Sequence, residues 1–122
     1  MSGTLRLARL DLPCRDLARQ RDFYTRILGL KPVEEGPEGI CYGLGTVAFL
    51  LRPRGDALFP SEGGPGLLLA FPVEEAELDR WHRRVLTNRV AVLDPPRPLP
   101  MGGRAVRISD PEGNVIEFYT EG

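Results

Sequence analysis

The chain contains a degenerate internal repeat, which constrains the fold because each copy is expected to form the same kind of unit. Residues 45–51 read Gly-Thr-Val-Ala-Phe-Leu-Leu, and residues 113–119 read Gly-Asn-Val-Ile-Glu-Phe-Tyr, at an offset of 68 residues. A second pair of landmarks, Gly29 and Asn88, lies 59 residues apart, and each follows a segment with helical periodicity. We therefore predict two similar modules of about 60 residues each.

The first module is predicted to begin with a strand over residues 5–12, in which Leu10 faces one side and Arg9 and Asp11 the other. A helix follows, with Asp16 as its N-cap and Gly29 as a left-handed stop. Three further strands are predicted at residues 31–35, 40–44 and 47–52.

The second module repeats this order, with a strand at residues 67–73, a helix at 74–86 and strands at 91–93, 104–109 and 115–120. Asn88 is predicted to be the left-handed stop of its helix. Because proline has no N–H to donate, the proline-rich segment 94–103 is predicted to stay outside the sheet.

These elements predict an α+β fold with two βαβββ modules in a single domain over residues 1–122. Module one spans about residues 4–52, a linker rich in proline and glycine spans 53–66, and module two spans about 67–121.

Composition excludes several classes of function. The 122 residues carry a net charge of -1 with both signs interspersed, so we predict neither a nucleic-acid partner nor a membrane partner. Without an apolar run of about 18 residues or a signal-peptide pattern, we predict a cytoplasmic protein. Twelve prolines and very few Asn and Gln residues favour a GC-rich, thermophilic host. Cys14 and Cys41 are too few for a zinc motif or a disulfide scaffold.

The Asp-Pro-Glu-Gly-Asn segment at residues 110–114 predicts a tight turn before the last strand. Pro111 presets φ for a turn, Asp110 can accept a backbone hydrogen bond, and Gly113 permits a positive φ. These roles explain a hairpin without invoking chemistry.

With these motifs in order, the chain resembles the vicinal oxygen chelate superfamily, the group of glyoxalase I, bleomycin-resistance proteins and extradiol dioxygenases. The matching residues are Asp-Leu at 16–17, Asp-Phe-Tyr at 22–24, Ile-Leu-Gly-Leu at 27–30, the 110–114 turn and Ile-Glu-Phe at 116–118. The resemblance implies a curved mixed sheet around a central cleft, a small-molecule ligand in that cleft, and a homodimer.

The resemblance also implies where a metal would bind, since metal-dependent members use His, Glu or Gln on the first and last strands of the modules. Those positions fall on Arg9, Phe49, Leu68 and Glu117. Only Glu117 can be a ligand, whereas a catalytic ion needs about three protein ligands. The sole histidine, His82, lies in the second predicted helix. We therefore predict no bound metal and no cofactor.

Strand alternation predicts the side chains that line the cleft. The polar candidates for ligand binding are Arg9, Asp11, Arg107, Glu117 and Tyr119. The apolar candidates are Phe49, Leu51 and Leu68. The alternative is structural, with the charged residues forming an internal ion-pair network and the apolar residues filling a small cavity.

Three functions are compatible with this pattern. The first is a metal-free small-molecule-binding protein similar to the bleomycin-resistance branch. The second is a lyase, isomerase or dioxygenase-like enzyme of the same superfamily, in which Glu117 and Arg9, or a metal in a rearranged site, carry the chemistry. The third is a structural or regulatory dimer whose cleft is filled by side chains.

Overall fold

The computed structural model describes residues 3–121 and divides them into two compact units, with the boundary between Gly63 and Gly64. The elements of unit 1 are β1 (Arg9–Cys14), α1 (Leu17–Asp22), a π-helical segment (Phe23–Ile27), β2 (Pro32–Gly36), β3 (Gly39–Leu44) and β4 (Val47–Pro53). Those of unit 2 are β5 (Leu68–Pro72), α2 (Glu75–Thr87), β6 (Val92–Pro98), β7 (Arg104–Ser109) and β8 (Val115–Tyr119). The predicted α+β class with two βαβββ modules is confirmed.

The two sheets have the same topology. The strand order is β1-β4-β3-β2 in unit 1 and β5-β8-β7-β6 in unit 2. In each sheet the first strand pairs in parallel with the last, and the remaining neighbours are antiparallel. The connection between the parallel strands begins with the helix, which carries the chain from the first strand to the opposite edge of the sheet and therefore covers one face of it. No helix within residues 3–121 is long and apolar enough to cross a membrane.

The helical segment of unit 1 begins and ends where the sequence predicts. The Asp16 carboxylate accepts a hydrogen bond from the Arg19 backbone N–H at 3.1 Å, which satisfies a free donor of the first turn. Gly29 adopts a φ of 76° and ends the segment. Between them, Phe23 and Tyr24 are buried against the sheet.

Helix α2 packs on unit 2 through Leu78 and Val85, which are fully buried, and through Trp81, which stacks on Phe118 with ring centroids 4.5 Å apart. Leu86, in the last turn of the same helix, is 54% exposed.

The end of α2 differs from the prediction. Asn88 has a φ of -91°, and Arg89 is the residue with positive φ, at 58°. The Asn88 side chain donates instead to the carbonyl of Arg84 at 2.8 Å, so it caps the helix through its amide and not through its backbone conformation.

The proline-rich segment also departs from the prediction, because β6 includes Pro95, Pro96 and Pro98. Strand β6 is an edge strand, so a missing N–H matters only on the side that faces β7. The register with β7 shifts between Asp94 and Arg97, which leaves Pro95 and Pro96 outside the paired positions, whereas Pro98, the last residue of the strand, pairs with Arg104.

The 110–114 turn forms a buried hydrogen-bonded unit. One oxygen of Asp110 accepts from the backbone N–H groups of Glu112 and Asn114, both at 2.9 Å, and the other accepts from the Asn114 side chain at 3.0 Å. Asn114 in turn accepts from the N–H of Leu67 at 3.4 Å, next to β5. Gly113 has a φ of 97°, as predicted. The motif therefore joins the β7–β8 hairpin to the first strand of its unit.

We predict that Asp110→Ala destabilises the protein by about 2–4 kcal/mol, because it removes three hydrogen bonds and leaves buried donors unsatisfied. Urea unfolding followed by circular dichroism measures the change. Asp79→Ala is the control, since Asp79 is exposed and contacts Arg104 only at 3.4 Å. An Asp110→Ala variant no less stable than the control would contradict the structural role of the turn.

Candidate functional site

The sheet of unit 1 has a helical face and a face opposite its helix, which we call the non-helical face. The register pairs Asp11 with Leu50 and Pro13 with Arg52, so their side chains share the non-helical face with Arg9. The intervening residues point toward the helix. The non-helical face is therefore where unit 1 carries its charged groups.

Phe49 and Leu51 do not lie on the face predicted for them. Both are fully buried, and the ring of Phe49 contacts that of Tyr24 in the helical segment at 5.2 Å between centroids. They belong to the core on the helical face of the sheet, opposite Arg9 and Asp11. The prediction that they line a ligand wall beside those residues is wrong.

The error has a physical origin in the two hairpins. Gly45 and Thr46 alone join β3 to β4, whereas the longer 110–114 segment joins β7 to β8. The 68-residue offset therefore aligns strands whose turns differ in length. Because side chains alternate, a one-residue slip transfers a position to the opposite face. The residues of β4 on the same kind of face as Glu117 are Ala48 and Leu50.

Four charged side chains form a continuous ion-pair chain on the non-helical face of unit 1. Arg9 donates to Asp11 at 2.7 Å, Asp11 accepts from Arg52 at 3.2 Å, and Arg52 donates to Asp56 at 2.5 Å. The guanidinium of Arg52 also lies over the ring of Phe59, with Cζ 5.0 Å from the centroid. Sequence reasoning missed Arg52, although alternation from Leu50 places it on this face.

Unit 2 carries a second ion-pair chain, on the face opposite α2. Arg107 donates to Glu117 at 2.7 Å and to Asp94 at 3.1 Å, and Arg97 lies 3.5 Å from Asp94. The register pairs Arg107 with Glu117 directly across β7 and β8. Two of the predicted site residues are thus brought together, with Asp94 as a partner that the sequence did not indicate.

Each of the two ion-pair chains contains two positive and two negative side chains, so its formal charge is zero. Within these two ion-pair chains the least exposed carboxylates are Asp11 and Glu117, whose side chains are 13% and 14% exposed. The hydrogen bonds from Arg52 to Asp11 and then to Asp56 raise the pKa of Arg52 above its ordinary value. Those from Arg107 to Glu117 and then to Asp94 do the same for the pKa of Arg107. Both guanidinium groups stay charged, and they offer directed hydrogen bonds without a net field.

The other predicted site residues also have definite places in unit 2. Leu68 is 50% exposed on β5, and Tyr119 is partly buried on β8, two residues beyond Glu117 and on the same face. His82 lies in α2, on the opposite side of the sheet from Glu117.

The residues present do not fit the divalent metal that the family resemblance implies. Within residues 3–121, no three His, Cys, Asp or Glu side chains are grouped so as to hold one ion. Glu117 is bound to Arg107, and the other positions indicated by the resemblance carry Arg9, Phe49 and Leu68. Ala48 and Leu50, the residues of β4 on the same kind of face as Glu117, cannot bind a metal through their side chains either.

Unit 1 also has a groove beside its charged face, with a volume of about 380 Å³. Its lining combines carboxylates, glycines and small apolar groups: Glu34, Gly36, Pro37, Glu38, Gly39, Cys41 and Leu50. Cys41 pairs with Leu50, which pairs with Asp11, so the groove opens on the non-helical face. A groove of about 420 Å³ at the start of α2 is lined by carboxylates, of which Glu74 and Glu77 form the capping box of the helix.

The fold and these faces define a class of protein: tandem βαβββ units that carry polar side chains on the sheet face opposite each helix. Residues 6–118 match the sequence profile of the Glyoxalase/Bleomycin resistance protein/Dioxygenase superfamily, and the chain belongs to this family.

Individual relatives are distant in sequence. The chain is 24% identical over 105 residues to metallothiol transferase FosB from Staphylococcus saprophyticus, covering 86% of this chain and 70% of that protein. It resembles the structure of a glyoxalase-related enzyme from Fulvimarina pelagi with a TM-score of 0.86 at 25% identity, covering 97% of this chain and 89% of the other. For lactoylglutathione lyase from Agrobacterium tumefaciens the TM-score is 0.76 at 26% identity, with 98% and 96% covered.

We predict that Phe49→Ala costs about 3–5 kcal/mol of stability, because it opens a cavity in a core without solvent access. Leu50→Ala, one position along the same strand, is expected to cost less than about 1.5 kcal/mol because its side chain is only partly buried. Chemical denaturation of the two variants compares the faces directly. Equal losses would contradict the assignment of Phe49 to the helical face.

Proposed function

We propose that the protein binds a small molecule on the non-helical sheet faces, in the manner of the bleomycin-resistance branch of its family, and does so without a metal ion. The groove beside Leu50 supplies apolar and polar surface, and the two ion-pair chains supply directed hydrogen-bond donors and acceptors. The ligand is recognised by side chains instead of by coordination to an ion.

The observation that carries this proposal is the state of Glu117. It is the one carboxylate at a position where metal-dependent relatives place a ligand, and it is bound to Arg107 at 2.7 Å. A guanidinium at this distance balances the charge of the carboxylate and repels a cation that approaches it. Metal binding at Glu117 would therefore have to overcome the repulsion from Arg107 or displace it.

A second candidate function is enzymatic, and the names of similar proteins favour it, since they include a metallothiol transferase and a lactoylglutathione lyase. In that case Arg9 and Glu117 would contact the substrate. Arg9 is suited to this because its side chain is 62% exposed while Arg52 shares its partner Asp11. The third candidate, a structural or regulatory dimer, has no such specific support. We also propose a homodimer, which light scattering after gel filtration would test.

We predict that freshly purified protein contains less than about 0.1 equivalent of Ni, Zn, Fe or Mn, because one carboxylate cannot replace three ligands. Elemental analysis measures this content. A small-molecule panel screened by thermal shift and native mass spectrometry is expected to yield at least one ligand. One equivalent of metal that is lost in Glu117→Ala would refute metal-free binding, and a panel without any ligand would refute ligand binding.

The enzymatic candidate makes a different prediction for the same residues. If the protein catalyses a reaction on a ligand from the panel, Arg9→Ala and Glu117→Ala should lower turnover by about 10²-fold or more, as loss of a positioned catalytic group does. Arg26→Ala is the control, since its exposed pair with Asp22 lies on the helical segment. Turnover unchanged in both site variants would rule out this version.

A further inference from the structure

Arg52 has one donor that none of its neighbours satisfies. Its Nη1 donates to Asp11 at 3.2 Å and its Nη2 to Asp56 at 2.5 Å, but its Nε is buried and meets no acceptor among residues 3–121. An unsatisfied buried donor is costly, most of all in a charged group. The arrangement is therefore less favourable than a guanidinium with its full set of partners.

The shape of guanidinium explains what is missing. Nε and Nη2 form one edge of the planar group, and a carboxylate or a phosphate-like anion can accept from both in parallel. Asp56 accepts only from Nη2, because its other oxygen accepts from the backbone N–H of Phe59 at 2.7 Å. Asp56 thus occupies half of a two-donor edge.

The loop that carries Asp56 lies at the surface. Residues 55–58 are exposed, and the segment is closed by a hydrogen bond from the Gly55 N–H to the Phe59 carbonyl at 2.8 Å. The hydrogen bond from the Phe59 N–H has the larger effect in lowering the pKa of Asp56, and Arg52 lowers it further. The loop therefore presents a charged carboxylate at neutral pH. An exposed loop with little burial can open at low free-energy cost.

We propose that Arg52 is the anion-binding residue of unit 1, and that Asp56 is an internal carboxylate that holds its Nε–Nη2 edge until a ligand carboxylate or phosphonate displaces it. The inference rests on the proposed function and adds the chemical class of its ligand. Asp11 keeps its bond to Nη1 throughout, so it orients the guanidinium while the opposite edge changes partner. Movement of Asp56 frees the Nε–Nη2 edge for the ligand, and it also moves Phe59, whose ring lies over the face of the guanidinium.

The probes that test this share a phenyl ring and differ in the group offered to Arg52. Benzoate carries a carboxylate, phenylphosphonate carries a phosphonate, and benzamide is a neutral match for benzoate. We expect Asp56→Asn to lower the Kd of the preferred anion by roughly ten-fold, equivalent to about 1.4 kcal/mol, with no change for benzamide. Calorimetric titration of the 122-residue chain measures each Kd, and the tighter-binding anion of the two assigns the ligand class.

The chain offers a matched control for loss of the carboxylate. Asp22 and Arg26 form an ion pair with the same four-residue spacing as Arg52 and Asp56, at 2.9 Å on the helical segment. Asp22→Asn removes the same charge and is expected to leave anion binding unchanged. If it tightens binding as much as Asp56→Asn, the effect is a general consequence of net charge and the proposal fails.

Two substitutions of Arg52 test the donor edge itself. Arg52→Gln removes the guanidinium, and Arg52→Lys keeps the charge without a planar pair of donors. In the Asp56→Asn background, each is expected to raise the anion Kd at least ten-fold, with circular dichroism confirming that the variants fold. Anion binding that survives in a folded Arg52→Lys variant would overturn the bidentate edge.

Two other results would also overturn the inference. One is an Asp56→Asn variant that shows no binding of either anion at anion concentrations up to about 10 mM, since a Kd above that value is too weak for a functional site. The other is a panel ligand whose affinity ignores both Asp56→Asn and Arg52→Lys. The latter result leaves the proposed function standing, because a ligand binds, and removes only the role of Arg52.

Discussion

Parallel pairing of the first and last strands is the constraint on which each unit depends. A parallel pair needs a crossover connection, and here the helix is the part of that connection that passes over the sheet and covers one face of it. In unit 1 this places Phe49 against Tyr24, and in unit 2 it places Phe118 against Trp81. The alternate positions of the same strands are excluded from these cores by the pleat. Charged side chains can occupy them without disturbing the packing.

The non-helical faces use this freedom in the same way, although their residues come from different strands. Arg52 in unit 1 and Arg107 in unit 2 each lie between two carboxylates. One carboxylate of each pair also contacts an outer arginine whose side chain is mostly exposed, Arg9 in unit 1 and Arg97 in unit 2. Such an ion-pair chain has no net formal charge, so it attracts distant ions only weakly. Its donors and acceptors can still form directed hydrogen bonds with a ligand. This arrangement is suited to selecting a ligand by geometry. It also explains why a carboxylate in a metal-ligand position does not by itself make a metal site.

Much of the fold follows from local signals. Asp16 and Gly29 mark their helical segment because a capping oxygen and a residue tolerant of positive φ act within a few residues of the chain. The 110–114 turn is recognisable for the same reason. The predictions for Asn88 and for the prolines of β6 are wrong because each residue has an alternative that depends on its surroundings. Asn88 caps its helix through a side-chain hydrogen bond to Arg84, and the prolines are tolerated because β6 is an edge strand. The pairing of Arg107 with Glu117 was predictable in part, since alternation places both on one face.

The sequence by itself determined the repeat, the order of elements, the family and the polar character of one face of each sheet, because these depend on local periodicity and on motifs of a few residues. Only the tertiary structure decided which face Phe49 occupies, since that depends on the length of a hairpin turn and shifts with a single residue of register. It also decided the partners of Arg52 and Arg107. Asp11, Asp56 and Asp94 reach them across strands and loops, and such contacts between residues distant in sequence exist only once the chain has folded.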